Sequence, residues 1–513
     1  MSMPDSRARL MRRNLHLVLP VALFLLLRIP SFIEPHWYQD EAGYASTVSL
    51  THIGYGLYVN AWNNKPPLLF GVYGLSQWLW GPGEAGLHVF SLISGLAALI
   101  AALWGMARLY SPRMALWSGL ILAVVIGSPM FDGDLSLPES LLIGPVTVAV
   151  VWFLCSCAGP SAREARIRTL VLIGVLLACG ALIQQTALAD SASILIWCLV
   201  RRRWRTGLVI GGTVALLGLV VIVPYVITSG FHNVWFALVT SYVGYVNTAL
   251  QARVFSLTFR TAVVLAIVGT AWLFRKAPDG RLELVRIWAM ALMFTAIAPG
   301  YNYEHFLLPA AIPVVMLAAG IVSRHRDDLL LVVRRGRVLI AGVTAAALTA
   351  GVVVTFWSPS QGFGHTAWIA GYYQNALSYV TGSESEVAFD RYFGVDSYGE
   401  WQAEQWIRDH GLTGTTGMVW SNLAWPIVDV GLVPPTRSGP LYVTLALEHG
   451  TGHILSLMDA TPPTVIIITP YHIENLEDIR TFISTHAYTK VLDENDMELY
   501  VRSDVGASLA SSR

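Results

Sequence analysis

The sequence predicts an α-helical polytopic membrane protein of about 11 to 13 spans with its N-terminus inside, carrying a C-terminal α/β domain on the extracytoplasmic side. Three observations predict it. First, the 513 residues are 54% hydrophobic and 13% charged, against roughly 25% charged in soluble globular proteins. Second, the 33 Lys and Arg balance the 33 Asp and Glu only over the whole chain. Up to residue 357 there are 26 basic and 15 acidic residues, and beyond it 7 and 18. Third, apolar stretches of span length recur only in the first part. The division is therefore a transmembrane domain, 1–357, and a soluble domain, 358–513. The basic residues fall in short clusters between apolar runs, which speaks against a nucleic-acid partner and for membrane lipids.

Taken in order, the spans are expected near 15–33, 85–107, 114–131, 138–157, 167–183, 187–200, 206–228, 257–275, 284–300, 305–322 and 337–357. Arg7, Arg9, Arg12 and Arg13 place the N-terminus in the cytoplasm. The first run is too long for a cleaved signal peptide and lacks a small-residue cleavage site. Alternating from there, the clusters around Arg108, Arg166, Arg201, Arg281 and Arg335 all land inside, while the outer loops hold only Lys65 and Arg253. Pro66–Trp80 is too short for a full span, and its Pro-Pro start and Trp-rich end suit an interfacial or re-entrant helix. After Asp40 the pattern Ala42, Tyr44, Ala45, Val48 and Leu50 suits a helix lying on the membrane. In the tail, Glu400–His410 and Ile473–His486 read as helices, and Val465–Thr469 and Met497–Arg502 as strands. Cys155, Cys157, Cys179 and Cys198 lie in apolar runs and imply neither a disulfide framework nor a zinc site.

The chemistry-bearing residues gather in the outer loops. Asp40 and Glu41 stand where a helix would begin, either as a functional acid pair or as helix-capping acids. Lys65 is one of three lysines beside thirty arginines, and a membrane-proximal Lys before a rigid Pro-Pro is placed to meet an anion such as phosphate, or to snorkel. Asp132, Asp134 and Glu139 crowd the second outer loop, where ionisable groups facing a cavity are functional candidates. The Asp-X-Asp spacing invites a divalent metal only weakly. Tyr303, Glu304 and His305 head a late span, as an aromatic belt or as substrate contacts. Arg28, at the outer end of the first span, is either a snorkelling residue or a second phosphate contact.

Four stretches, Asp40-Glu41-Ala42-Gly43-Tyr44, Asn64-Lys65-Pro66-Pro67-Leu68-Leu69, Pro138-Glu139-Ser140-Leu141-Leu142 and Tyr303-Glu304-His305-Phe306-Leu307-Leu308-Pro309, occur in this order. With them the chain resembles the C-type glycosyltransferases of the protein O-mannosyltransferase and aminoarabinose (lipid A) transferase kind. The resemblance implies transfer of a hexose or pentose, with inversion, from a polyprenyl-phosphate carrier to an extracytoplasmic protein, lipid or cell-envelope glycan. It makes Asp40, with Glu41 beside it, the candidate base and Lys65 the ligand of the carrier phosphate, with Arg28 as a further candidate. It assigns the second-loop acid to Glu139, or to Asp132 or Asp134, and leaves Tyr44, Tyr303, Glu304 and His305 as candidate substrate contacts. Asn64 stands where aminoarabinose transferases carry an acid. The family implies no required cofactor; a divalent metal is possible but not expected. A transporter or flippase of lipid-linked sugars is the competing class, and it would want ionisable residues deep in several spans.

Overall fold

The computed structural model describes residues 3–159, 165–243, 280–297, 303–332, 362–469, 475–495 and 497–505. The predicted spans 257–275 and 337–357, the domain boundary at 357/358, and Tyr301, Asn302 and Arg253 lie outside them. The other predicted spans fall on helices: α1 (Met3–Arg28), α4 (Glu84–Leu109), α5 (Pro112–Gly127), α6 (Pro138–Ser156), α7 (Ile167–Ile183), α8 (Leu188–Val200), α9 (Trp204–Ser229), α11 (Gly280–Ile297) and α12 (Leu308–Val332). Between them come α2 (Gln39–His52), α3 (Pro67–Trp80) and the short α10 (Phe231–Trp235). Among the described residues, Glu84–Leu109, Pro138–Ser156, Trp204–Ser229 and Glu304–Ser323 are long and apolar enough to cross a membrane. The segments His16–Phe32, Pro112–Gly127, Ile167–Ile183 and Gln185–Val200 are apolar but shorter. Four helices among the described residues thus meet full-span length and apolarity, where 11 to 13 spans are expected of the whole chain.

The bundle forms because small residues let helices approach where there is no water to drive them together. A Cβ on Gly144 of α6 would stand 2.7 Å from the backbone oxygen of Ser94 in α4. Ser94 Oγ instead accepts the Gly144 N–H at 2.9 Å and donates to the Leu141 carbonyl at 2.8 Å. The outward face is apolar: on α9, Leu208 is 74% exposed and Ile227 78%. Those surfaces are the ones that lipid would cover.

The two ends of the bundle differ in charge. At one, Arg201 pairs with Glu283 at 2.6 Å and Gly159 packs against Arg281. At the other stand α2, α3 and the loops bearing Asp40, Asp132, Glu139 and His305. Arg201 and Arg281 thus stand apart from the acids around Asp40, while Arg28 and Glu283 each lie beside groups of opposite charge.

The tail is an α/β unit: α13 (Gly362–Val380), α14 (Glu386–Phe393), α15 (Val395–Asp409), α16 (Trp425–Asp429), α17 (Leu441–Leu447), α18 (Thr451–Ala460) and α19 (Leu476–Thr485) surround a four-stranded sheet. The strands β1 (Gly417–Trp420), β2 (Val465–Ile468), β3 (Tyr488–Glu494) and β4 (Met497–Arg502) lie in the order β1-β2-β4-β3, with β1 and β2 parallel and the other pairs antiparallel. Helices cover both faces, so β2 carries the uninterrupted run Val-Ile-Ile-Ile with every residue buried. One face packs Ile466, Ile468 and Met418 against α18 and α19; the other turns Val465, Ile467 and Leu499 into the core shared with the bundle. The sequence had indicated β2, β4, α15 and α19 but not β1 and β3.

One expectation is corrected. The Asp40 helix does not lie with a face on the membrane: Glu41 to Val48 are buried without a break. The tail covers the side that would have been free. A Cβ on Gly43 would sit 3.0 Å from the ring of Pro440, the Trp62 N–H donates to the Arg437 carbonyl at 2.8 Å, and His36 stacks on Trp425 with its Nδ1 2.6 Å from Asp429.

Candidate active site

α2 begins with two acids in its first turn, where the helix dipole favours negative charge. The helical rotation sends them in different directions. Glu41 is fully buried and points into the bundle, where its Oε1 accepts the Ser136 N–H at 2.5 Å and stands 3.5 Å from His88 Nε2. Asp40, half-buried, faces the open side, and Tyr44 four residues on lies on the same helix face. Tyr44 is a buried wall, edge-to-face with Tyr73 at 5.7 Å.

Around Asp40 the chain assembles Lys65, Glu139 and His305 from three separate segments, and Tyr442 from the tail. Tyr442 donates its hydroxyl to Asp40 Oδ1 at 3.3 Å. Burial pushes the Asp40 carboxyl above the usual aspartate range, and the repulsion of Glu139 adds to it. The charges of His305 and Lys65 and the Tyr442 hydrogen bond act in the opposite direction.

Lys65 is held by its backbone: Tyr58 donates to its carbonyl at 2.9 Å, and Gln185 Nε2 donates to the carbonyl of Asn64 at 2.8 Å. Pro66 and Pro67 then stiffen the start of α3. Its ammonium makes no hydrogen bond or ion pair among the described residues, leaving three donors for an anion. Glu139, 3% exposed, accepts a hydrogen bond from Gln184 at 2.6 Å and lines a cavity bounded by Leu142, Leu292, Phe306 and Pro309. His305 Nδ1 lies 3.0 Å from Asp132 Oδ2, and Tyr303, 41% exposed, stacks on the His305 ring at 5.5 Å. Glu304 is half-buried between them.

A second layer lies behind α2. Arg28, 1% exposed, donates through Nη1 to the Gly133 carbonyl and through Nη2 to Ser91 Oγ at 2.7 Å. Asp134 is buried beside it with both carboxylate oxygens lacking a hydrogen-bond partner. Burial, with repulsion from Glu34 and Asp132, holds its carboxyl well above the usual range. Glu34 accepts from Tyr372 of α13 at 2.5 Å and from the Trp37 indole at 2.9 Å. The predicted acids are thus divided: Asp40, Asp132 and Glu139 in front, Glu41 and Asp134 behind. Asp132 bonds His305, and no third ligand with metal spacing joins Asp132 and Asp134 among the described residues.

Sequence reading passed over Glu34, Glu84, His88 and Tyr442. Glu84 and His88 had a signal, two ionisable residues at i and i+4 heading an apolar span. Tyr442 had none, being 402 residues from its partner Asp40.

No family model matches the chain. Its fold is that of ArnT from Cupriavidus metallidurans. A crystal structure of ArnT bound to undecaprenyl phosphate superposes with a TM-score of 0.59 at 16% identity, over 94% of this chain and 97% of that one. The apo form of the same protein gives 0.57 at 15% identity, over 96% and 98%. The architecture that the ordered motifs resemble is therefore the architecture present.

Proposed function

We propose, from a fold shared with ArnT, that this chain is an integral-membrane glycosyltransferase that moves a sugar from a polyprenyl-phosphate donor to an extracytoplasmic acceptor with inversion. The observation that carries the proposal is the pairing of a raised, half-buried Asp40 with the ammonium of Lys65, which has no ion-pair partner among the described residues, at one opening of the bundle. The donor class fits that cation, and the ArnT structure holds undecaprenyl phosphate. The arginine-rich end opposite the acids supports a cytoplasmic placement for that end, and so an extracytoplasmic site and tail in a multi-pass cell-membrane protein of about 11 to 13 spans. The ionisable groups gather at the ends of helices, which supports transfer over transport.

In this reaction Asp40 accepts the proton of the acceptor hydroxyl as its oxygen attacks the anomeric carbon from the face opposite the phosphate. The bond from the anomeric carbon to the phosphate oxygen breaks, and the polyprenyl phosphate leaves with its charge held by Lys65. Glu139 and the Asp132–His305 pair border the sugar, and Tyr303 offers a stacking face. Glu41, Arg28 and Asp134 position loops from behind. No metal or cofactor is assigned a step; the base, the anion site and a good leaving group account for the chemistry. The acceptor is a protein, a lipid or an envelope glycan.

The test is turnover by purified protein in detergent, with a panel of polyprenyl-phosphate hexoses and pentoses and a membrane extract as acceptor. One donor should be consumed with release of polyprenyl phosphate; folded protein that binds polyprenyl phosphate and consumes none overturns the reading.

The tail enters the same chemistry through Tyr442. Its hydroxyl stabilises the Asp40 carboxylate, so Tyr442→Phe should raise the Asp40 pKa and move the acid limb of the pH–rate profile to higher pH, with kcat at the plateau falling less than about tenfold. An acid limb that stays in place removes Tyr442 from the site.

A further inference from the structure

On the side of α2 away from Asp40, three side chains of metal-ligand type converge. Glu34, Glu84 and His88 each bring one ligand atom within 4.8 Å of the other two. Glu84 and His88 lie one turn apart at the head of α4, on one helix face, and are 3% and 0% exposed. Glu34 comes from the loop after α1.

Two features separate this group from an ordinary buried polar cluster. His88 Nδ1 meets the carbonyl oxygen of Ser31, so Nδ1 carries the ring proton and Nε2 keeps its lone pair. That Nε2 is buried and stands 3.5 Å from Glu41 Oε1, outside hydrogen-bond geometry. Both carboxylate oxygens of Glu84 are likewise buried, and among the described residues the backbone N–H of Trp37 is the donor that faces them. Buried polar atoms are nearly always satisfied, and an uncompensated carboxylate in an apolar setting is costly. Arg28 directs its Nη1 and Nη2 to Gly133 and Ser91, not to this group.

We propose that Glu34, Glu84 and His88 bind one Zn²⁺ ion. One imidazole and two carboxylates are a zinc donor set that leaves a fourth position for water. Tetrahedral zinc holds its ligand atoms about 3.3 Å apart, so side-chain rotation over about 1 Å closes the site. Each Glu34 oxygen accepts one hydrogen bond, from Tyr372 or Trp37, and keeps a lone pair for the metal. Glu34 also lines a cavity of about 240 Å³ between the first loop and the tail, whose walls include Glu386, Asp390, Glu404 and Asp429. That acidic lining draws cations toward Glu34. The ion would tie the loop that leads into Asp40 to the head of α4 and, through Tyr372, to the tail.

The test uses the full chain in detergent, stripped with a chelator, reloaded with zinc chloride, freed of excess and assayed for zinc by mass spectrometry. Wild type should retain about one zinc per chain, and Glu84→Gln and His88→Asn less than about a tenth of that. X-ray absorption at the zinc edge of wild type should show one imidazole nitrogen at about 2.0–2.1 Å with oxygen donors and no sulfur, a readout that needs no variant to fold. Wild type that retains no zinc overturns the proposal and leaves His88 as the ion-pair partner of Glu41, 3.5 Å from its Oε1. Zinc retained equally by both variants, or a spectrum without imidazole, also overturns it.

Discussion

Asp40→Asn is expected to lower the rate of sugar transfer by about 10²–10⁴-fold while leaving the fold and the binding of polyprenyl phosphate intact. The amide keeps the shape of the carboxylate and an oxygen that accepts the Tyr442 hydroxyl, but it cannot take a proton from an acceptor hydroxyl. A single-turnover measurement with a preloaded donor isolates that step. A rate within tenfold of wild type would remove Asp40 as the base. The same residue sets a pH signature. Its folded pKa is raised by burial, so the active carboxylate is lost as pH falls through a range above that of an ordinary aspartate. The acid limb of kcat/KM should therefore lie closer to neutrality than a solvent-exposed aspartate would place it.

Lys65→Met should have two separable effects. Loss of the ammonium removes charge-assisted hydrogen bonds to the carrier phosphate, and affinity for free polyprenyl phosphate is expected to fall about 10–100-fold. Loss of its charge also removes one of the positive charges that hold the Asp40 pKa down, so the acid limb should move to higher pH than in wild type. Lys65→Arg restores charge without the compact ammonium and should recover the acid limb more fully than the affinity. Unchanged affinity in Lys65→Met, measured by titration in detergent, would take Lys65 out of the phosphate site.

The divided acid cluster shows where sequence reading stops. Asp40 and Glu41 are adjacent, yet the 100° turn between helical neighbours sends one to the open side and the other to Ser136 and His88. Asp132 and Asp134 flank one glycine, yet Asp132, in a left-handed conformation, bonds His305 while Asp134 turns inward to Arg28 and Glu34. Spacing alone leaves such directions open. Lys65 was conspicuous because it is rare in this chain and precedes Pro-Pro; Gln184 and Gln185, which hold Glu139 and the Asn64 carbonyl, were visible only as polar residues at a turn.

By itself the sequence determined what depends on local composition: the apolar helices and most of their limits, the short helix Pro67–Trp80, and the residue types of the candidate site. These follow from periodicity, span length and charge bias, which act over one or two turns of chain. Only the tertiary structure decided which acids face the opening, that the tail buries α2 and lends Tyr442 to Asp40, and that Glu34, Glu84 and His88 meet behind it. Those outcomes depend on contacts between segments tens to hundreds of residues apart, where side-chain direction is set by packing and not by neighbours in the chain.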